Sequence, residues 1–593
     1  MKPPLIYPNQ SVIINYETKQ SYHMTQLIKN MIDTHVLEKA EINPSYLSTF
    51  FLVPKTDGSF RPIFNLKRLN RFVKLKGFQL FSHFRVPSFL QSNDWMVKVD
   101  LSQAYFHLPI AEEHRRFLRL SYKGQLLQMT CLPFGLSSAP RTFTSLTNWV
   151  AEFLRRRNMR CVVYLDDFLI VNQSCQLLRE HITFMVNLMR HLGWTINMDK
   201  SVLVPTQRLE FLGITWDTKL NTKSLSEPKC ETLRKALLSQ MSRGSWSLRQ
   251  AQSLLGRLNF ASFVIRRGRL HCRTLQFHSR YLPKEHPYKQ VKLPQPVLSE
   301  MRWWLKAAHG SLPIHSNSIS HLLTTDASDF GWGAQLGDTK MSGQWSKRQQ
   351  SWHVNLKELF AVYAAIQQEN SLLHNAHILL QTDNRTVVAY INKEGGTKSK
   401  KLLNLTRQLL KVMDHLNLQL TARYFPGRFN CEVDALSRGK VCPEWHLLST
   451  ATDNIFKMWG TPQVDLFASE TAHVVMRYVS LDTQDQQALF HNAFLHQWDY
   501  ELAWLFPPPN LIPQVLSHLN TAKGQYILIA PKWKMVFWRA DLQARAIQEP
   551  YHIPLLPQVL IDTKTGMHPP EIQDIHLEAW LILGGQTKSK NGQ

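Results

Sequence analysis

Tyr164-Leu165-Asp166-Asp167 lies between two apolar runs, Cys161-Val162-Val163 before it and Phe168-Leu169-Ile170-Val171 after it. The flanking residues are β-branched and aromatic. They read as two strands broken at Asp-Asp, a hairpin with acids at its tip. Two adjacent carboxylates in such a setting are costly, because buried charge without a partner is strongly unfavourable. A divalent cation is the partner whose chemistry fits, since carboxylate oxygens suit hard Mg²⁺ or Mn²⁺. An Asx turn in a surface hairpin also accounts for the tetrapeptide taken alone.

A second acid changes the reading. Trp95-Met96-Val97-Lys98-Val99-Asp100-Leu101 is another short apolar strand with a carboxylate near its end, and it continues as Ser102-Gln103-Ala104-Tyr105-Phe106. An acid-bearing strand followed by an aspartate-pair hairpin is the layout of a two-metal polymerase palm. The chain here resembles a reverse transcriptase, through an ordered series of motifs over residues 35–217. Before the acids comes Phe51 to Asn70, which contains Lys55-Thr56-Asp57-Gly58-Ser59-Phe60-Arg61-Pro62 and is similar to the family's fingers hairpin. Between the acids comes Leu132-Pro133-Phe134-Gly135-Leu136-Ser137-Ser138-Ala139-Pro140. After them come Gly193-Trp194-Thr195-Ile196-Asn197 with Lys200-Ser201, and then Phe211-Leu212-Gly213.

The resemblance implies roles at matching positions. Asp100, Asp166 and Asp167 would ligate metal, with the Leu101 carbonyl helping. Lys55 and Arg61 would grip the nucleoside triphosphate. Tyr105 matches the bulky residue under the sugar that excludes a 2′-hydroxyl, which implies a DNA product. Lys200 matches the lysine near the leaving pyrophosphate. Phe134 stands where retroviral enzymes carry glutamine and is read as a subgroup mark. Core packing is the alternative for Tyr105 and Phe134.

Composition supports a polyanionic partner. The chain has 593 residues and a formal net charge of +25, and 44% of its residues are hydrophobic. That length implies several domains, each with its own core. Residues 231–292 hold thirteen Lys and Arg against two Glu. The stretch is predicted helical over Cys230 to Met241 and Ser247 to Val264, as suits a thumb that tracks phosphates; a solvated helical face is the alternative. The seven cysteines form no Cys-x-x-Cys pair or Cys/His cluster. Zinc and a disulfide framework are therefore unsupported, and an intracellular setting, cytoplasm and/or nucleus, is expected. No secretory leader or membrane span is read.

A second series of acids follows a Pro-, Ser- and His-rich joint, Ser311 to His321. Leu322-Leu323-Thr324-Thr325-Asp326-Ala327-Ser328 and His377 to Asn384 are strands ending in acids. Asn355 to Gln368 is helical, with Glu358 beside its apolar face. Asn430-Cys431-Glu432-Val433-Asp434-Ala435-Leu436-Ser437-Arg438 completes the series. It resembles ribonuclease H, and Asp326, Glu358, Asp383 and Asp434 match that family's four metal-binding acids. The resemblance implies two metals that activate water against an RNA phosphate. Tyr424 stands where many members carry a histidine before the Pro-Gly turn, which implies slower turnover.

The last third stays globular, with a strand at Tyr526 to Pro531 and a helix at Leu511 to Leu519. Val464-Asp465-Leu466-Phe467-Ala468-Ser469 and Trp504-Leu505-Phe506-Pro507-Pro508-Pro509 resemble, loosely, DNA adenine methyltransferases. There Asn/Asp-Pro-Pro-Tyr/Phe reads the flipped adenine. Phe506 offers no acceptor and Pro509 no aromatic ring, so a degenerate domain without methylation is expected. A Pro-rich turn on an unrelated α/β domain fits the same residues.

The expected architecture is α+β and multidomain. It comprises an N-terminal arm at 1–34, fingers and palm at 35–222, a basic helical thumb at 223–300 and a connection at 301–319. A ribonuclease H-like α/β domain at 320–440 and a methyltransferase-like α/β domain at 441–593 follow. Together these resemble DIRS-type retroelement polyproteins. The implied function is RNA- and DNA-directed DNA synthesis with degradation of the RNA strand of the hybrid, using two Mg²⁺ or Mn²⁺ per active site. The implied partners are RNA template, RNA–DNA hybrid, DNA primer and deoxynucleoside triphosphates, with no membrane; a homo-oligomer is compatible with the sequence. The competing reading is a catalytically inactive or co-opted element protein that binds nucleic acid.

Overall fold

The computed structural model of the chain describes residues 3–7, 21–54, 60–371, 373–427, 431–438, 444–482, 485–533, 536–563, 565–569 and 572–585. The chain forms two compact units. One comprises Met1–Ser242, Ala261–Arg266 and Leu305–Ser316; the other comprises Arg243–Phe260, Arg267–Trp304 and Asn317–Gln593.

The first unit is built on a four-stranded antiparallel sheet in the order Arg160–Tyr164, Asp167–Asn172, Trp95–Asp100, Val202–Thr206. Alternation along these strands sends Val97, Val99, Cys161, Val163, Phe168 and Ile170 to one face. Two helices, Ala139–Arg155 and Cys175–His191, cover that face with Phe143, Val150, Leu154, Ile182 and Met185. Their buried positions recur at helical spacing. Asp94 is fully buried just before the first strand. The Arg160 guanidinium grips it in a fork, Nη1 to Oδ1 at 2.7 Å and Nη2 to Oδ2 at 2.9 Å. This bidentate pair ties the starts of two strands together and supports the register of the hairpin between them.

The fingers motif folds as an antiparallel hairpin, Phe50–Pro54 with Phe60–Phe64. Residues 231–292 carry the helices Glu227–Arg243 and Leu248–Ala261 through most of their first half, close to the expected spans. The expected joint at Ser311 to His321 is partly ordered differently. Ser311–Pro313 adds as the fourth strand of a sheet, pairing with Thr222–Leu225. The pairing satisfies backbone groups that a free linker would leave to water. The helix Gln295–Ala307 runs through the expected boundary at residue 300.

The second unit contains a five-stranded mixed sheet, in the order Thr339–Gln344, Gly331–Leu336, His321–Ala327, His377–Thr382, Gln419–Tyr424. The first three strands are antiparallel neighbours and the last two join in parallel. Leu323, Ile378 and Leu380 face a core shared with the helices Val354–Gln368 and Lys400–His415. Their neighbours Leu322 and Leu379 face the other way, onto Leu511, Phe467 and Phe494. The last third of the chain thus covers the second face of this sheet. A buried polar relay runs across the contact. Gln381 donates to the Asn510 carbonyl at 3.2 Å, and the Asn510 amide donates to Gln335 Oε1 at 3.0 Å.

That last third has its own six-stranded sheet, in the order Tyr478–Ser480, Val464–Ala468, Asp499–Leu505, Lys523–Pro531, Leu577–Leu583, Tyr551–His552. The first four strands are parallel. Both faces are buried: Ala503, Leu505, Tyr526 and Leu528 join one core, and Leu502, Trp504, Ile527 and Ile529 the other. Two-sided burial explains why these strands read as continuous apolar runs.

The helix Cys431–Ser437 lies directly on the strand Gly331–Leu336. A Cβ at Gly333 would sit 2.5 Å from the Val433 carbonyl oxygen and 2.8 Å from the Ser437 nitrogen. Gly333→Ala should therefore push the helix away and cost about 1–3 kcal/mol. The check is the thermal midpoint of the full chain: a lowered midpoint is expected, and an unchanged one would contradict the close packing.

Candidate active sites

The first acid site is set by strand pairing. Tyr164 pairs with Asp167, so Leu165 and Asp166 form a two-residue turn. Leu165 takes φ 54°, a left-handed conformation that a branched side chain adopts only at a cost. On the neighbouring strand Asp100 pairs with Asp167. Opposite residues in a sheet share a face, so their carboxylates are neighbours. The Leu101 N–H donates to the Asp166 carbonyl at 3.2 Å, which ties the turn to the end of the Asp100 strand. The Asp100 N–H donates to Ser201 Oγ at 3.0 Å, and the Asp100 carbonyl accepts from the Asn197 N–H at 2.8 Å. The Asn197–Ser201 turn, with Lys200 exposed upon it, is thus fastened to the strand bearing Asp100.

Burial dominates the electrostatics here. It pushes Asp167 up to about 7; Lys98 opposes, and Asp100 and Asp166 add to the rise. Asp166 is raised by burial and Asp100, against Lys200 and Lys98. Asp167 Oδ1 is buried without a hydrogen-bond partner. An orphaned carboxylate oxygen beside two further acids fits a divalent cation.

The neighbouring residues shape an aromatic floor. Tyr105 lies on the short 3₁₀ turn Ala104–His107, with its ring 4.8 Å from Phe134 and 5.4 Å from the buried Phe143. Burial and the Asp166 charge hold its hydroxyl protonated to higher pH than usual. Gly135 follows at φ 99°, where a Cβ would lie 2.7 Å from the Phe64 carbonyl oxygen. Asn70 pins this loop: its amide donates to the Gly135 carbonyl and its Oδ1 accepts from the Ser137 N–H, both at 2.9 Å. Arg61 lies on the strand Phe60–Phe64, and Lys55 lies outside the described residues.

The second acid site is tighter. Parallel pairing brings the ends of His321–Ala327 and His377–Thr382 together, with Asp326 on one and Asp383 just past the other. Glu358 comes from the helix Val354–Gln368. Ligand oxygens of Asp326, Glu358 and Asp383 all lie within 4.8 Å of one another, the only such group of three among the described residues. Asp100, Asp166 and Asp167 are therefore held more openly. Burial pushes Glu358 up to about 9, with Asp326 and Asp383 adding to it. Glu358 Oε2 is buried and unpartnered, as Asp167 Oδ1 is in the other site. Asp326 rises to about 6 through burial, although the Ser437 hydroxyl donates to its Oδ2 at 2.8 Å.

Asp434 stands apart from the tight group. It lies on the helix Cys431–Ser437 and accepts from Arg438 Nε at 2.8 Å. Its charge still reaches Asp326 and Asp383 and raises both. Tyr424 is exposed at the end of its strand, with the Arg385 guanidinium 4.5 Å above its ring. Gly427 passes so close that a Cβ would sit 2.3 Å from Asp383 Oδ2. The sequence reading missed Asn70 and Ser437 as positioning groups, and Lys98 as a charge that opposes the rise of Asp166 and Asp167. Each stood inside a quoted motif, Asn70 at the end of Phe51 to Asn70, Lys98 in the Asp100 strand and Ser437 in the Asp434 to Arg438 word.

A cavity of about 960 Å³ opens in the last third, lined along the strand Val464–Ala468 by Asp465 and Phe467, and at and after the carboxyl end of Asp499–Leu505 by Trp504, Phe506 and Pro507 to Pro509. Asp465 is buried and pushed up to about 7, while accepting the N–H groups of Phe467 and Val474, each at 3.2 Å.

Comparison with known proteins bears on both acid sites. Residues 53–216 match the family model described as reverse transcriptase (RNA-dependent DNA polymerase). Residues 318–415 match the RNase H-like domain found in reverse transcriptase. The chain is similar to the Transposon Tf2-3 polyprotein of Schizosaccharomyces pombe, 25% identical over 65% of this chain and 28% of that protein. It is also similar to a putative enzymatic polyprotein of Cassava vein mosaic virus, 21% identical over 74% of this chain and 66% of that protein. The chain therefore spans little more than a quarter of the Tf2 polyprotein. Among solved structures it is similar to the foamy viral protease-reverse transcriptase dRH in complex with double-stranded DNA, at a TM-score of 0.47 and 17% identity, covering 71% of this chain and 72% of that one. Asp100, Asp166 and Asp167 fall within the first matched segment, residues 53–216, and Asp326, Glu358 and Asp383 within the second, residues 318–415.

Proposed function

We propose that the chain copies RNA and DNA templates into DNA and degrades the RNA strand of the resulting hybrid. The observation that carries this reading is the pairing of two matched families with two separate carboxylate sites, each holding a buried, unpartnered acid oxygen. Asp100, Asp166, Asp167 and the Leu101 carbonyl would hold metal in the first site. Asp326, Glu358, Asp383 and Asp434 would hold it in the second, with Arg438 yielding its hold on Asp434. Two Mg²⁺ or Mn²⁺ per site, when bound, supply charge neutralisation and lower the pKa of the attacking hydroxyl or water.

The chain's own groups do the rest. Tyr105, held by Phe134 and Phe143, forms the floor under the incoming sugar and leaves no room for a 2′-hydroxyl. Lys55 and Arg61 bind the triphosphate. Lys200 faces the departing pyrophosphate and gives it a proton. Ser201 and Asn197 hold Asp100 in place by its backbone, and Ser437 orients the Asp326 carboxylate in the second site. Template, primer, hybrid and deoxynucleoside triphosphates are the substrates on this reading, and the place of action is inside the cell, in cytoplasm or nucleus.

The wider assignment is a DIRS-type element protein with a degenerate methyltransferase-like end. Its support is the parallel sheet of the last third and the Phe506-Pro507-Pro508-Pro509 turn after the strand Asp499–Leu505. The turn carries no side-chain acceptor for an adenine amine, and the glycines at 460, 524, 566, 584 and 585 form no Gly-rich loop for S-adenosylmethionine, which is therefore expected to leave the thermal midpoint unchanged; a clear rise would overturn the degenerate reading.

The two sites should separate by mutation. Asp167→Asn is expected to reduce RNA-templated primer extension to background while leaving hybrid cleavage intact, and Glu358→Gln is expected to do the reverse. Wild-type extension at the same level as Asp167→Asn, or cleavage indifferent to Glu358→Gln, would refute the corresponding half. Tyr105→Ala is expected to raise ribonucleotide incorporation relative to deoxyribonucleotide. Unchanged discrimination would remove Tyr105 from the sugar site.

A further inference from the structure

A groove of about 210 Å³ lies between the helix Arg273–Ser279 and the start of the helix Lys400–His415, within the second unit. Arg273, His278, Lys400 and Arg407 line it together with hydroxyl and amide groups, and no Asp or Glu lines it. The 960 Å³ cavity elsewhere in this unit differs, since Asp434, Asp465, Asp482 and Asp485 are among its lining residues. The groove is built, not incidental. Gly395 takes φ 96°, and a Cβ on Gly396 would sit 2.6 Å from the Tyr390 ring, so the glycine pair folds the turn before the helix tightly. Arg280 fastens that turn from the other side, donating to the Thr397 carbonyl at 3.1 Å and to its hydroxyl.

The cations differ in how they are engaged. Arg273 donates to the carbonyls of Lys393 and Glu394 and to Gln276. Arg407 donates to Thr274 Oγ1 at 3.1 Å and lies 3.8 Å from Glu300. Lys400 is exposed, with its ammonium 5.0 Å above the Phe277 ring. It sits at the first position of a sixteen-residue helix, whose amino end adds partial positive charge to the groove. The helix is capped by Ser399, whose hydroxyl accepts from the Leu402 N–H at 3.3 Å. An exposed cation over an apolar ring, with hydroxyl groups and no Asp or Glu in the lining itself, suits one phosphodiester.

We propose that this groove binds a backbone phosphate of the nucleic-acid duplex that lies across Asp326, Glu358 and Asp383. The inference rests on the hybrid ribonuclease reading and adds a contact point to it. The helix Arg385–Asn392 links the two places: it begins two residues past Asp383 and leads into the turn before Lys400. Its eight residues span about 12 Å at about 1.5 Å per residue.

The test is binding of a labelled RNA–DNA hybrid to the full chain in EDTA, measured over a range of salt concentrations. Lys401 lies beside Lys400, is exposed and does not line the groove, so it serves as the control. Lys400→Ala is expected to weaken binding several-fold and to lower the salt slope by about 0.9, the value for one lost phosphate contact. Lys400→Arg should restore most of both, and Lys401→Ala should change neither. A wild-type slope in Lys400→Ala, or an equal loss in Lys401→Ala, would overturn the groove as a site. Inorganic phosphate that protects Lys400 from amine modification when hybrid does not would assign the groove to a free anion and overturn the duplex contact. A wild-type chain that binds no hybrid at all would overturn the ribonuclease reading and the groove with it.

Discussion

Keeping carboxylates close together in a poorly solvated place is the constraint on which this molecule's design turns. Charge held away from water raises the free energy of the folded chain unless something positive joins it. Among the described residues, Asp100 with Asp166 and Asp167 form one such place and Asp326 with Glu358 and Asp383 another. Asp167 is pushed up to about 7 and Glu358 up to about 9, in both cases chiefly by burial. For an acid, a raised folded-state pKa means that stability declines as pH rises from the unfolded value toward the folded one. At neutral pH both groups therefore weaken the fold, and a cation that binds the folded state offsets the loss.

The rest of the structure can be understood as the means of holding these acids in place. In the first unit, the Arg160–Asp94 fork and the paired strands set Asp100 opposite Asp167. In the second, parallel pairing places Asp326 beside Asp383, and a helix pressed onto Gly333 delivers Ser437 and Asp434. The two sites use different devices. One relies on a strained two-residue turn, the other on the close approach of a helix to glycine. The covering of the second sheet by the last third of the chain adds a further layer, since the Gln335, Asn510 and Gln381 relay is buried where water cannot satisfy it.

Much of this was legible in the sequence because it is local. The β-branched runs around Asp166 and Asp167, the apolar strand ending at Asp100, and the helix carrying Glu358 each announce themselves within a dozen residues. What escaped is long-range. Ser437 reaches Asp326 across 111 residues, and Asn70 reaches Ser137 across 67. The need for glycine at 333 arises only from a helix a hundred residues later. Ser311–Pro313 reads as part of a linker because its pairing partner, Thr222–Leu225, is far away in the chain. Asp434 lies outside the tight group of three and pairs with Arg438 four residues along.

The most direct measurement is the effect of Mn²⁺ on the thermal midpoint of the full chain. The comparison is wild type against the double variant Asp167→Asn with Glu358→Gln, in EDTA and in Mn²⁺. The account predicts that the variant is the more stable in EDTA, because two costly buried acids have been neutralised, and that Mn²⁺ raises the midpoint of wild type but not of the variant. Equal Mn²⁺ shifts in both proteins, or a variant less stable than wild type in EDTA, would contradict it.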